Sequence, residues 1–204
     1  MSAKLKIYGD ARSGNCLKVK WTAALLGVDY EWIDVDVLSG STRTEEFLKL
    51  NPSGQVPTVV LADGRTLSQS NAIIVYLAGL NDSALLPTDV YARAKVDEWL
   101  FWEQYSHEPC IAVRRFQKSF LNKNDEEIDP QLFAKGRRAL GQMELALQGK
   151  SYLVGETLTV ADIALVAYTR VAHEGGFELT EFPAVRQWVS RVERDLSIEQ
   201  LEAA

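Results

Sequence analysis

Apolar and polar positions alternate at the start of the chain, where Leu5 and Ile7 are flanked by lysines before Gly9, the pattern of a strand with one buried face. From Leu17 to Leu26 the apolar spacing becomes helical and ends at Gly27, a natural C-terminal stop. Tyr30 to Val37 alternates again, with Trp32 among β-favouring residues. A Gly/Ser turn at Ser39 to Ser41 leads into a short helix over Thr44 to Leu50, which Asn51-Pro52-Ser53-Gly54 breaks. Thr58 to Leu61 and Arg65 to Leu67 flank Asp63-Gly64, a strong hairpin signal, and a helix follows from Gln69 to Leu80. The order is strand, helix, strand, helix, hairpin, helix.

Asn81 to Thr88 lacks periodicity and contains Pro87, which marks a linker. Beyond it every pattern is helical. Tyr91 to Leu121 reads as one long amphipathic helix, bent or broken around Pro109, and Pro130 to Gln148 as a second with proline at its start. A third begins at Thr159 and a fourth near Phe182-Pro183. Thr159 and Asp162 have the spacing of a capping box, with Leu158 and Ile163 placed for a hydrophobic staple, and this is folding chemistry. The expected architecture is an α/β domain over residues 1–80, a linker over 81–90 and an all-helical domain over 91–204.

A chain of 204 residues with 47% hydrophobic and 25% charged positions can bury a substantial core. No stretch approaches the roughly 18 consecutive apolar residues of a membrane span, and MSAKLKIYG lacks the apolar region of a signal peptide, so a cytoplasmic location is expected. Cys16 and Cys110 form no close-spaced pair and are expected to be reduced thiols. The net charge of −6 disfavours a nucleic-acid partner, and the short basic run Lys135 to Arg138 reads as a solvated helix face. With only His107, His173 and two distant cysteines, no metal site is expected.

The observed order of elements is the topology of thioredoxin-like domains, in which the loop after the first strand carries the reactive group. That loop is Asp10-Ala11-Arg12-Ser13-Gly14-Asn15-Cys16. A redox-active relative would hold Cys-x-x-Cys there; this chain keeps the second place as Cys16 and has Ser13 at the first. A hydroxyl cannot exchange disulfides, but it can donate a hydrogen bond to a thiolate carried by a ligand.

Here the chain resembles the cytosolic glutathione S-transferases over nearly its whole length, in a bacterial, serine-type form. Ser13-Gly14-Asn15-Cys16 resembles the loop of the theta-, delta- and phi-like classes, in which the serine activates glutathione. Asn51 to Pro57, NPSGQVP, resembles the glutathione-binding turn, where the proline is cis and the residue before it pairs with the cysteinyl part. Gln69 to Ile73, QSNAI, resembles the motif that binds the γ-glutamyl end, although many serine-type relatives carry an acidic residue at the Gln69 position. Leu86-Pro87 and the capping motif also match. The resemblance implies a thioredoxin-like domain followed by a helical bundle, Ser13 as the catalytic residue, and Asn15, Arg43, Gln55, Val56, Pro57, Gln69 and Ser70 as glutathione contacts. Arg43 stands where phi-like relatives contact the glycine carboxylate, while the neighbouring family histidine is Thr42 here. Ala11, Trp102 and Tyr105 are candidates for the second-substrate pocket, and Asp97 for a contribution across the interface of a homodimer. The implied partners are glutathione, as co-substrate and with no cofactor, and a small electrophile in a cleft between the domains; the implied role is detoxification.

Simpler roles compete with these. Ser13 could only cap a helix, Cys16 could only pack, Arg43 could be solvated, and His107 could cap or pack. Trp99, Phe101, Trp102 and Tyr105 span more than one helix face, so some of them belong to the core. Two other functions use the same site: glutathione-dependent reduction of disulfides or peroxides with help from Cys16 or Asn15, and a non-catalytic adaptor that keeps the fold.

Overall fold

The computed structural model describes residues 4–80 and 83–198, so Asn81 and Asp82 of the expected linker and the last residues of the helical domain lie outside the described residues. The chain divides into two compact units with the boundary between Leu86 and Pro87. The first is a four-stranded sheet with helices, and the second is all-helical.

In the first unit, β1 (Leu5–Gly9), α1 (Gly14–Leu25) and β2 (Tyr30–Asp34) form a strand, helix, strand unit in which β1 and β2 are parallel, with Ile7 opposite Trp32. After α2 (Glu45–Leu50), the hairpin of β3 (Thr58–Val60) and β4 (Thr66–Ser68) joins the sheet in the order β2-β1-β3-β4, with β3 antiparallel to β1. α3 (Ser70–Gly79) follows at once. β2 is shorter than its alternating pattern suggests. Asp36 turns the chain there by accepting the Leu38 N–H at 2.9 Å and an Arg12 guanidinium N–H at 2.7 Å. β4 starts one residue later than expected, because Arg65 belongs to the turn: its N–H donates to Asp63 Oδ1 at 3.0 Å and its carbonyl accepts from Leu61 N. Ile7 and Val59 on the sheet meet Val19 and Ala23 of α1 and Ile73, Ile74 and Leu77 of α3 in a core closed to solvent.

The second unit contains α4 (Val90–Trp102), α5 (Glu108–Arg115), α6 (Pro130–Leu147), α7 (Val160–Thr169) and α8 (Pro183–Asp195). α4 and α5 make up the long helix read from the pattern, but the irregularity lies before Pro109. Residues Glu103–His107 form one wide π-type turn and Phe116–Phe120 another. Pro109 has no N–H to give and its ring would crowd the carbonyl four residues back, so the preceding turn widens and lets the helix continue. Every residue of α7 is buried, as befits a central helix that is apolar all round. Its start is the expected capping box. Asp162 Oδ2 accepts the Thr159 N–H and hydroxyl at 2.9 Å, while Oδ1 accepts the Leu153 N–H and the Trp188 indole N–H at 2.9 Å. The basic run on α6 is only partly a solvated face: Gly136 is buried against Phe177, and Arg137 pairs with Glu181 at 2.6 Å. No helix among the described residues is long and apolar enough to cross a membrane.

Candidate functional site

Four residues, Asp10 to Ser13, carry the chain from β1 to α1. Their conformation is set by Asp10. Its carbonyl accepts the Ser13 N–H at 3.0 Å, and its buried carboxylate takes the Arg12 N–H and Nε at 2.9 Å and Nη2 at 2.6 Å. The Arg12 guanidinium holds the Asp10 carboxyl below the usual carboxylate range, against the opposing effect of burial. Ala11 is exposed.

Ser13 occupies the N-cap position of α1, half-buried, with extended backbone angles (φ −83°, ψ 119°), yet its side chain makes no capping bond to the helix. The pure capping role is therefore not what this hydroxyl does. The Cys16 N–H donates to the Ser13 carbonyl at 3.0 Å, which places the Cys16 thiol in the same turn. Burial pushes that thiol up to about 11, while the hydrogen bonds from the Asp10 N–H, at 3.4 Å, and from the Ser13 hydroxyl pull the other way. Cys16 is fully buried.

A second wall is the turn from Asn51 to Pro57. The buried Asn51 amide donates to Gln55 O at 2.8 Å and Thr58 Oγ1 at 3.1 Å and accepts the Ser53 N–H at 3.0 Å, which fixes the loop from inside. The Val56–Pro57 peptide bond is cis. Gln55 is exposed, Val56 half-buried and Pro57 buried. Gly54 has φ +61°, and a Cβ there would lie 2.5 Å from Arg43 Nη1. Arg43 is accordingly folded against the turn, donating to Ser53 O at 3.4 Å while its side chain stays exposed.

The start of α3 supplies the third element. Gln69, at the N-cap, has φ 71° and ψ 112°, a region that strains any residue with a Cβ and that tends to persist where a site requires it. Ser70 is buried at the first helical position, among backbone N–H groups that have no partner within the helix. Its hydroxyl donates to Asn15 Oδ1 at 3.0 Å, and the same oxygen accepts from Lys18 Nζ at 2.9 Å. The structure therefore joins Asn15 to Ser70 through a hydrogen bond, with Ser13 two residues before Asn15, Gln69 beside Ser70, and Arg43 folded against the turn that carries Gln55, Val56 and Pro57.

In the helical unit, Trp102 is half-buried, edge-on to Trp99 at 5.1 Å and tilted against His107 at 6.1 Å. Tyr105 is 88% exposed. His107 is fully buried, with Nε2 2.9 Å from Thr169 Oγ1, so it packs and bonds within the bundle. Asp97 faces Arg93 one turn away, at 3.7 Å. A cavity of about 410 Å³ lies further along, lined by Glu108, Ala112, Val113, Phe116, Leu121 and Tyr168 among others; neither Trp102 nor Tyr105 borders it. Among the described residues no group of three His, Cys, Asp or Glu side chains could hold a metal ion.

Residues 12–80 match the model of the glutathione S-transferase N-terminal domain, and residues 100–195 that of the C-terminal domain. A glutathione S-transferase from Pseudomonas fluorescens is 48% identical, with 93% of this chain and 94% of that one covered at a TM-score of 0.89. The chain belongs to the glutathione S-transferase family. A glutathione S-transferase from Xanthobacter autotrophicus is 42% identical over 98% of this chain and 96% of that one, with a TM-score of 0.88. A delta-class glutathione transferase from Nilaparvata lugens is 30% identical over 93% and 88%, with a TM-score of 0.84.

In this glutathione transferase the sequence reading overlooked three residues that the cluster depends on. Asp10 and Arg12 organise the loop, and Lys18 joins Asn15 to Asn71, whose Oδ1 lies 3.4 Å from Nζ. The signal for Lys18 was present in the helical pattern: it sits beside Val19 and two residues from Cys16, on a stretch of α1 that is otherwise buried. A lysine there has to be held by polar partners.

Proposed function

We propose that this enzyme ionises the thiol of bound glutathione with the Ser13 hydroxyl and directs the thiolate at small hydrophobic electrophiles. One observation carries the reading: Ser13 stands at the positive end of α1 with a hydroxyl that makes no capping bond to the helix. A free thiol has a pKa of about 8.5, and lowering it by about two units takes roughly 2.7 kcal/mol of differential stabilisation. A hydroxyl hydrogen bond and a helix terminus are of that order together. Further acceleration comes from holding the electrophile near the sulfur.

In this reading the strained Gln69 and the buried Ser70 receive the γ-glutamyl end, Val56 and its neighbours Gln55 and Pro57 align the cysteinyl part, Asn15 supports the cluster, and Arg43 takes the glycine carboxylate. The enzyme works without a cofactor, as a cytoplasmic homodimer in detoxification, with Asp97 near the dimer interface. Disulfide exchange through Cys16 is the weaker reading, because that thiol is buried and pushed up to about 11.

Ser13→Ala decides the matter. Turnover at neutral pH should fall several-fold, and by no more than the roughly 20-fold that two units of pKa would give, because alanine leaves the helix terminus in place, while calorimetry still detects glutathione binding. Undiminished turnover with several electrophiles would remove Ser13 from the mechanism.

A further inference from the structure

The cavity in the helical unit, at about 410 Å³, falls within the roughly 300–1,000 Å³ usual for small-molecule sites, and the chemistry of Ser13 makes no use of it. Ala112 and Tyr168 on its lining are buried, whereas Val113, Phe116 and Leu121 are 36%, 39% and 47% exposed. Three apolar side chains that leave this much surface in water around one hollow favour an apolar occupant.

The wide turn at Phe116–Phe120 shapes one end. Beyond it the chain folds back, with the Leu121 N–H donating to Phe116 O at 3.1 Å and the Lys123 N–H to Gln117 O at 3.0 Å. Lys123 is thereby returned to the level of Gln117 and lines the cavity, half-buried. Among the described residues its ammonium has no ion pair and no side-chain hydrogen bond. Two of the acids that follow it are occupied elsewhere: Asp125 accepts Lys118 Nζ at 2.8 Å and pairs with Arg114, and Glu127 Oε2 accepts the Asn124 N–H at 2.9 Å. The other charge on the lining is Glu108, which has interactions of its own within the protein. It precedes Gln117 by nine residues, about 13 Å along a helix at 1.5 Å per residue, so an anion at the Lys123 end is largely screened from it.

We propose that this cavity binds a small apolar carboxylate, with its chain against Val113, Phe116 and Leu121 and its charged end on Lys123, which selects for the anion. The site lies wholly within the helical unit, so its test needs no glutathione and is independent of the role of Ser13.

Octanoate, octan-1-ol and octylammonium share one chain length and differ in charge, and each is titrated into the whole protein by calorimetry. Octanoate should bind at one site about tenfold more tightly than the alcohol, as expected for a hydrogen bond from a charged group, and octylammonium more weakly than either. Lys123→Met should bring octanoate within about twofold of the alcohol and leave the alcohol unchanged. Val113→Trp, which fills the hollow from a partly exposed position, should remove the binding of both. Should that variant fail to fold, the methyl resonances of Ala112, Val113 and Leu121 in the wild-type protein locate the ligand instead, and they should shift with octanoate. Absence of octanoate binding, equal affinity for acid and alcohol, or an octanoate affinity unmoved by Lys123→Met would each overturn the proposal. So would binding that survives Val113→Trp or leaves those methyl groups unshifted.

Discussion

Asp162→Ala is the sharpest test of what holds the helical unit together. Its carboxylate is closed to solvent and accepts four hydrogen bonds, from the N–H groups of Leu153 and Thr159, the Thr159 hydroxyl and the Trp188 indole. Alanine would leave three of these donors, the two backbone N–H groups and the indole, buried without an acceptor, since only the hydroxyl can rotate elsewhere. Each such donor costs about 1–3 kcal/mol. The loss is offset in part because a buried carboxylate is itself costly: burial raises the pKa of Asp162 in spite of the donors around it. The net destabilisation should be about 3 kcal/mol, a large share of a total that is typically about 5–15 kcal/mol. Urea unfolding followed by far-UV circular dichroism measures it directly. With a slope of about 2 kcal/mol per molar urea, the midpoint should fall by about 1.5 M. Asp162→Asn should fall between, because one end of the amide accepts while the other must face an N–H donor. A midpoint shift below about 0.3 M in the alanine variant would mean that the donors are satisfied in another way, and the capping argument would be wrong.

Two further outcomes follow from the loop after β1. Arg12 keeps Asp10 below its ordinary pKa, so this carboxylate contributes stability that is fully present above about pH 4 and is lost as the pH falls through the lower folded-state value. Arg12→Met should therefore be less stable than wild type at pH 6, with the gap in melting temperature closing towards pH 2.5; a gap independent of pH would refute the pairing. Cys16, pushed up to about 11 by burial, should resist iodoacetamide in the native protein at pH 8 and react only in urea, and rapid native labelling seen by mass spectrometry would contradict its protonated, buried state.

Most of the fold was legible because its elements have strong local signals. The Asp63-Gly64 turn, the stop at Gly27, Pro130 at a helix start and the Thr159/Asp162 pair each act within a few residues, and each produced the element expected within a residue or two. The misses have a different origin. β2 ends early because Arg12, far away in sequence, draws Asp36 into a network, and no periodicity in Tyr30 to Val37 records that pull. The wide turns at Glu103–His107 and Phe116–Phe120 each take up about one extra residue without ending the helix, a local change that no single residue in the pattern announces. In the candidate site, motifs singled out Ser13, the turn with the cis proline and Ser70, since each stands beside a glycine, a proline or a helix start. The roles of Asp10, Lys18 and Asn71 were not read from the sequence: Asp10 and Lys18 have partners within their own loop and helix, Arg12 and Asn15, that no motif marks, and the contact of Lys18 with Asn71 joins two helices distant in sequence.

In the proposed mechanism the nucleophile arrives with the ligand, and the chemistry of this loop is consistent with that. Both cysteines are buried, and burial raises the pKa of each, so the protein itself offers no thiolate at neutral pH. The position where a redox-active relative would carry an exposed thiol holds Ser13, whose hydroxyl is a poor nucleophile without a base but a good donor to an anion. At Cys16, one turn into α1, burial prevails and the proton stays. A ligand sulfur on the half-exposed side of Ser13 would escape that desolvation and still receive the same hydrogen bond and the same helix terminus. The difference between an inert thiol and a reactive one is then a matter of which side of a single serine the sulfur occupies.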